Sequence, residues 1–340
     1  MPEARELRAD LTRRSMLLQA GAMMLVPLVA SAREGKRAYR IGVLTPSLRA
    51  EPNYDGLFDE LRQLGFVAGQ NPIVDGRGFA ARFAQLPQLA AELVEADVDA
   101  ILCGGDLAIR AAQQATRTIP IIGVTDDMVG AGLVRSLARP GSNTTGISML
   151  ASDLDGKRQE ILIDLVPGAR RIAALADPNT TPPERLRVLE DAARKRGVEL
   201  SISRVARPEE VSPAVSEAKA AGAEALLVVA SPLFNITRHL IIERTAALRL
   251  PAIYHTPEMA EEGGLIAYGP RFSRIGRMQA QLLVKVLRGA KPADVPVEQP
   301  VAFELVVNLK TAQAMGLEVP AEVLALADQA IEDDCSCRDP

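Results

Sequence analysis

The sequence predicts an α/β protein of two similar lobes, each a mostly parallel sheet with helices on both faces. Three observations predict it. Short runs rich in apolar and β-branched residues alternate with amphipathic helical segments along most of the chain. The order is strand, helix, strand, a βαβ series that implies a mostly parallel sheet covered on both faces. The series runs through about five βα units and then starts again, which the length of 340 residues accommodates as two domains of ordinary size.

The chain opens with an address. Thr12-Arg13-Arg14-Ser15-Met16-Leu17-Leu18 leads into an apolar stretch that ends at Ala30-Ser31-Ala32. A basic start, a short apolar run and a small-residue end read residues 1–32 as a secretory signal. Gln19, Gly21 and Pro27 interrupt the run, so it is too short for a membrane span. The arginine pair after threonine fits the twin-arginine signal, which exports folded proteins; a general secretory signal is the alternative. No cysteine follows to take a lipid. The mature chain is expected to begin near Arg33, outside the cytoplasm.

The first lobe then starts with Tyr39–Leu44 as a strand. Leu57, Leu61 and Leu64 follow at helical spacing. Strands are expected at 73–75, 100–103, 119–124 and 145–149, with helices between them carrying Leu86, Leu89 and Leu93, and spanning 108–116. The second lobe repeats the pattern with strands at Arg171–Ala176, 200–204, 225–229, Ala252–Tyr254 and 265–268. Its helices include 184–195, closed by Gly197, 208–221, closed by Gly222, and 235–248. A long amphipathic helix, Phe272–Leu287, and a strand at 303–308 come last. The expected organisation is lobe 1 at 39–146, lobe 2 at 147–264, a return to lobe 1 at 265–300, a return to lobe 2 at 301–330, and a disordered tail at 331–340. Arg139-Pro140-Gly141-Ser142 and Tyr268-Gly269-Pro270 are candidate hinges.

In open parallel sheets ligands bind beyond the carboxyl ends of the strands. Here those exits read Leu44-Thr45-Pro46-Ser47, Cys103-Gly104-Gly105-Asp106, Val124-Thr125-Asp126-Asp127, Ala176-Asp177-Pro178-Asn179-Thr180, Ala230-Ser231-Pro232 and Tyr254-His255-Thr256. Short polar groups on two facing rims suit a small polar ligand. Turn and cap chemistry alone would also place such residues there.

Catalytic signatures are missing. Of the two histidines, His239 reads as a surface residue on a helix and His255, at a strand exit, has no acidic or cysteine partner at metal spacing; Cys103, Cys335 and Cys337 match no zinc pattern. No nucleophile elbow, zincin motif or P-loop occurs, and the glycines at 104 and 105 complete no dinucleotide fingerprint. Gly105 could still offer backbone N–H to an anion. A formal charge of -4 without a basic run argues against a nucleic-acid partner. With no Trp and 3% aromatic residues, broad stacking platforms are not expected, although Phe58, Phe234 or Tyr268 could pack on an aromatic ligand.

Several runs resemble a large bacterial family. They are Ile119-Pro120-Ile121-Ile122, Asp127-Met128-Val129-Gly130-Ala131-Gly132-Leu133-Val134, Ser136-Leu137-Ala138-Arg139-Pro140-Gly141-Ser142-Asn143-Thr144-Thr145-Gly146, Gly263-Gly264-Leu265-Ile266-Ala267-Tyr268-Gly269-Pro270, Gly289-Ala290-Lys291-Pro292, and Phe303-Glu304-Leu305-Val306-Val307-Asn308. The family is that of ABC transporter substrate-binding proteins, which includes tryptophan/phenylalanine-binding members. The resemblance implies a type I periplasmic-binding-protein architecture, with ligand gripped in a cleft between two Rossmann-like lobes that close about a hinge. It also implies a periplasmic monomer that serves an ABC permease in the membrane. Two departures stand out: Asp106 replaces a small hydroxyl residue, and Met128 replaces a proline.

The expected ligand is an amino acid or similar zwitterion. Thr45, Ser47, Gly105, Asp106 and Asp127 of one lobe are expected to face Asp177, Asn179, Ser231, Tyr254 and Tyr268 of the other, with the ligand ammonium on Asp106 or Asp177. No catalytic residue, metal or cofactor is expected. A ligand-sensing module feeding a membrane receptor is the alternative, and an exported enzyme on the same fold a further one. A transcriptional regulator would need a helix-turn-helix where this chain has a signal.

Overall fold

The computed structural model describes residues 38–67 and 69–332; the signal at 1–32 and the two tail cysteines lie outside them. Strands β1 (Tyr39–Leu44), β2 (Pro72–Gly78), β3 (Ala100–Gly104), β4 (Ile121–Thr125) and β5 (Thr144–Ser148) form one sheet, in the order β2-β1-β3-β4-β5. Every pairing in it is parallel. The second sheet takes β6 (Arg171–Ala176), β7 (Glu199–Arg204), β8 (Ala225–Val228), β9 (Ala252–Tyr254), β10 (Ile266–Gly269), β11 (Glu304–Asn308) and β12 (Gln329–Ile331), in the order β12-β11-β10-β9-β8-β6-β7. Only β10 and β11 run antiparallel. The central strands are apolar throughout because helices cover both faces: all four residues of β8 are buried.

The chain changes lobe three times: after β5, after β10 and before β11. At these crossings Glu298 N–H donates to Gly146 O at 2.9 Å, and Ser148 N–H donates to Glu298 O at 2.9 Å. The stretch 139–142, expected as a hinge, precedes β5 within the first lobe, whereas 268–270 lies on a crossing. Because β10 pairs with β9 and β11, the first return begins after Gly269 and not at 265. Ile331 ends β12 on the sheet edge and does not belong to a tail.

Two other expectations change. The helix expected over 235–248 is split at Thr237 into Pro232–Ile236 and Arg238–Ala247, with the Thr237 hydroxyl donating to Leu233 O at 2.8 Å. Helix Ala151–Leu165, absent from the sequence reading, follows the first crossing.

The returning helix Phe272–Leu287 packs on helix Pro52–Gln63 and reaches β4 and β5. Two glycines make the approach close. A Cβ on Gly56 would stand 2.1 Å from Ser273 O, and one on Gly276 would stand 1.7 Å from Asn53 O. Both helices then turn side chains toward the ends of the strands.

Candidate functional site

A cavity lies between the lobes at the carboxyl ends of both sheets, with about 100 Å³ open to the centre of a water molecule. Its walls are mostly apolar: Pro46, Tyr54, Val124, Met149 and Ile275 from one side, Leu154, Ala230 and Pro232 from the other. The polar groups on it are few, as in small-molecule sites generally.

Four of the ten expected site residues line this cavity: Thr45, Ser47, Gly105 and Ser231. Thr45 Oγ1 accepts the N–H of Ser47 at 3.2 Å, which shapes the β1 exit. Gly105 takes φ 85° but spends its N–H on Val124 O at 2.8 Å, so it has no donor for a ligand anion. Ser231 caps the helix that follows it, accepting from Leu233 N–H at 3.0 Å.

Asp106, Asp177 and Asn179 lie beside the cavity in a narrower recess between the lobes, with room for about one water. There Asp106 accepts from the Thr125 hydroxyl. Asp177 accepts from Asn179 N–H at 2.9 Å, Asn179 Nδ2 at 3.0 Å and the Ser231 hydroxyl at 2.8 Å. Burial, with Asp126 and Asp127 nearby, pushes the Asp106 carboxyl up to about 6.

Three expected residues are elsewhere. Asp127 is exposed and caps a turn, with Oδ1 accepting from Val129 and Gly130 N–H at 3.1 and 2.8 Å. Tyr254 is buried in the helix–sheet core with its hydroxyl 2.8 Å from that of Thr245. Tyr268 packs against Phe303 at 6.3 Å between ring centroids. A strand side chain points to a face of the sheet, whereas the ligand space lies beyond the strand end. The aromatic candidates differ too. Phe58 sits under the Arg49 guanidinium and Phe234 is in the core, whereas Phe272 lines the cavity.

The groups that dominate the polar end were not among those expected. Asp155 and Arg158 come from helix Ala151–Leu165, Arg185 from helix Pro183–Lys195, and Asp126 from the β4 exit. Asp155, fully buried, accepts from Arg158 Nη1 at 2.5 Å, from Arg185 Nε at 2.8 Å and from Arg185 Nη2. Arg158 lines the cavity, and its Nε and Nη2 donate to the carbonyls of Tyr268 (2.7 Å) and His255 (3.3 Å). Arg185 reaches across to Asp126 Oδ2 at 3.6 Å, an ion contact beyond hydrogen-bond length. Two carboxylates and two guanidinia thus balance within a largely buried space. Burial and the charge of Asp155 raise the Asp126 carboxyl to about 6, against the pull of Arg185 and Arg158.

His255, reached by the strand-exit argument, lines the cavity and is 4% exposed. Burial and the three nearby arginines 158, 185 and 238 lower it to about 3, so the ring is neutral, and its Nδ1 has no hydrogen-bond partner. Asn53 Oδ1, Thr180 Oγ1 and Asp126 Oδ2 on the same walls are likewise buried without partners. Among the described residues no group of three or more His, Cys, Asp or Glu could hold a metal ion.

A second ion pair bridges the lobes away from the cavity floor. Arg238 Nη1 donates to Glu51 Oε1 at 3.1 Å, and its Nε donates to Glu262 Oε2 at 2.6 Å.

The family profile described as ABC transporter substrate binding protein matches residues 43–331. A tyrosine-binding protein of Clostridioides difficile (strain R20291) is 27% identical over 293 residues, 84% of this chain and 83% of that protein. Among solved structures, an ABC domain in complex with L-Trp from Streptococcus pneumonia superposes with a TM-score of 0.76 at 25% identity, over 86% of this chain and 100% of that one. A conserved domain protein from Vibrio cholerae reaches 0.78 at 23% identity, over 87% of this chain and 99% of that one.

Proposed function

The chain belongs to the family of ABC transporter substrate-binding proteins, and we propose that it captures an amino acid with an apolar or aromatic side chain and delivers it to a membrane permease. On this reading the protein works in the periplasm, binds without catalysing a reaction, and closes its lobes about the crossings at 148–151, 269–272 and 298–304.

One observation carries the proposal: the interlobe cavity joins mostly apolar walls to a polar end where Asp126, Asp155, Arg158 and Arg185 cancel in charge. A ligand of net charge would upset that balance in a low-dielectric site, whereas a zwitterion preserves it. The apolar walls suit its side chain. The tyrosine-binding relative and the L-Trp-bound structure support an aromatic side chain.

A thermal-shift screen of the purified protein tests this. Tyrosine, tryptophan, phenylalanine and leucine are compared with sugars and simple carboxylates. A ligand at a hundredfold excess over its Kd stabilises the folded state by about 2.7 kcal/mol. The expected result is a saturable shift with one or more of the amino acids and recovery of that compound unchanged. A shift with a sugar or a dicarboxylate alone would overturn the substrate class, and turnover of the bound compound would overturn capture.

A further inference from the structure

Resting on the amino-acid reading above, we infer that Asp126 is the seat of the ligand's ammonium group. The inference comes from asking what each acid near the cleft already does. Asp106 takes the Thr125 hydroxyl. Asp177 is occupied by Asn179 and Ser231. Asp127 caps its own turn. Asp155 is saturated by two guanidinia. Glu258 receives Phe272 N–H at 2.8 Å on Oε1; its Oε2 is buried without a partner, but Glu258 does not line the cavity. Asp126 both lines the cavity and keeps a buried oxygen, Oδ2, with no hydrogen bond.

Each of the unmet hydrogen bonds of the cavity can be met by a donor. Asp126 Oδ2 and Asn53 Oδ1 can only accept; Thr180 Oγ1 and the neutral His255 ring can accept as well. A buried acceptor left unpaired is costly, so the missing component is a donor-rich group. An ammonium offers three N–H bonds and a positive charge to an ionised carboxylate. The opposite charge on the ligand has its own partner on the wall contributed by the second lobe. Arg158 uses three of its five N–H groups on Asp155, Tyr268 O and His255 O, which leaves two for a carboxylate.

The position of Asp126 adds a consequence for closure. It belongs to the first lobe, and Arg185, its partner at 3.6 Å, to the second. With its ammonium on Asp126 and its carboxylate on Arg158, a zwitterion is held by the first lobe at one end and by the second at the other. The same reasoning turns the ammonium away from Asp106 and Asp177, the two acids the sequence favoured.

Isothermal titration calorimetry on the purified protein tests the seat. The probe is whichever of tyrosine, phenylalanine and tryptophan binds the wild type most tightly, set beside its analogue lacking only the amino group. Asp126→Asn is expected to weaken the amino acid by about 10- to 100-fold, the range for a charge-assisted bond. The desamino analogue should bind the wild type weakly and lose nothing further in Asp126→Asn, and Asp106→Asn should stay near wild type. Amino-acid binding by the wild type with Asp126→Asn unaffected, or with the desamino analogue equally tight, overturns the seat but not the proposed function. A wild type that binds no amino acid overturns both. Should Asp126→Asn not fold, the analogue comparison on the wild type decides alone.

Discussion

Two arginines of the second lobe reach carboxylates of the first, and they do so differently. Arg238 is held between Glu51 and Glu262 by hydrogen bonds of 3.1 and 2.6 Å, so that bridge is hydrogen-bonded to both carboxylates as it stands. Arg185 spends its best hydrogen bonds within its own lobe on Asp155 and touches Asp126 only at 3.6 Å. The contrast separates two tasks in the proposed closure. If the lobes close about the ligand, a finished bridge favours the closed form whatever lies in the cavity, whereas the acid of the slack one still has an oxygen to offer to what arrives. Selectivity belongs to the second kind.

The largest expected effect comes from the anchor beneath the slack bridge. Asp155→Ala leaves two buried guanidinia uncompensated and should cost about 3–5 kcal/mol of folding stability, measured by urea denaturation. A loss near zero would mean that Arg158 and Arg185 find other partners and that the two bridges differ less than their geometry implies. Next is the finished bridge. Glu51→Gln should weaken an amino acid and its desamino analogue alike, by about three- to tenfold, because it shifts the open–closed balance without touching ligand. A change in the ratio of the two affinities would place Glu51 in recognition and break the distinction.

The smallest effect is one of pH. Asp126, faced by Arg185, Arg158, Asp155 and Asp106, has a carboxyl raised to about 6, above the value for an unfolded chain. A group raised by folding favours the folded state when protonated, so its contribution is present at low pH and lost as pH rises through 6. The melting temperature of the unliganded wild type should therefore gain on that of Asp126→Asn as pH falls from 7 toward 4. The ligand-induced shift of the wild type should shrink over the same interval, since an ammonium needs the ionised carboxylate. Parallel pH curves for the two proteins would remove Asp126 from the comparison.

The strands were legible because a parallel sheet buried on both faces leaves uninterrupted apolar runs such as Ala225-Leu226-Leu227-Val228. The cavity rim was legible in part, through the rule that ligands meet strand exits: that rule reaches Thr45, Ser47, Gly105, Ser231 and His255. It does not tell which of two neighbouring acids turns inward, and Asp126, not Asp127, does so. Helix Ala151–Leu165 was invisible for a related reason. Its buried side carries Asp155, Arg158 and Gln159 beside Leu154, Ile161 and Leu162, so no clean apolar stripe marks it. Polar residues that bury one another in pairs look like surface until their partner, here Arg185 some thirty positions on, is brought alongside.

The glycine seam between helices Pro52–Gln63 and Phe272–Leu287 bears on how the molecule is made. The core of the first lobe draws Ile275, Leu282, Leu283 and Val286 from the returning helix, so strands β1 to β5 have only part of their interior while the ribosome is still adding the second lobe. Contacts this far apart in sequence form late and slowly. The first half of the chain must therefore wait, partly exposed, for the last third. A truncated product ending near residue 260 should be a target for proteases and chaperones, not a functioning half.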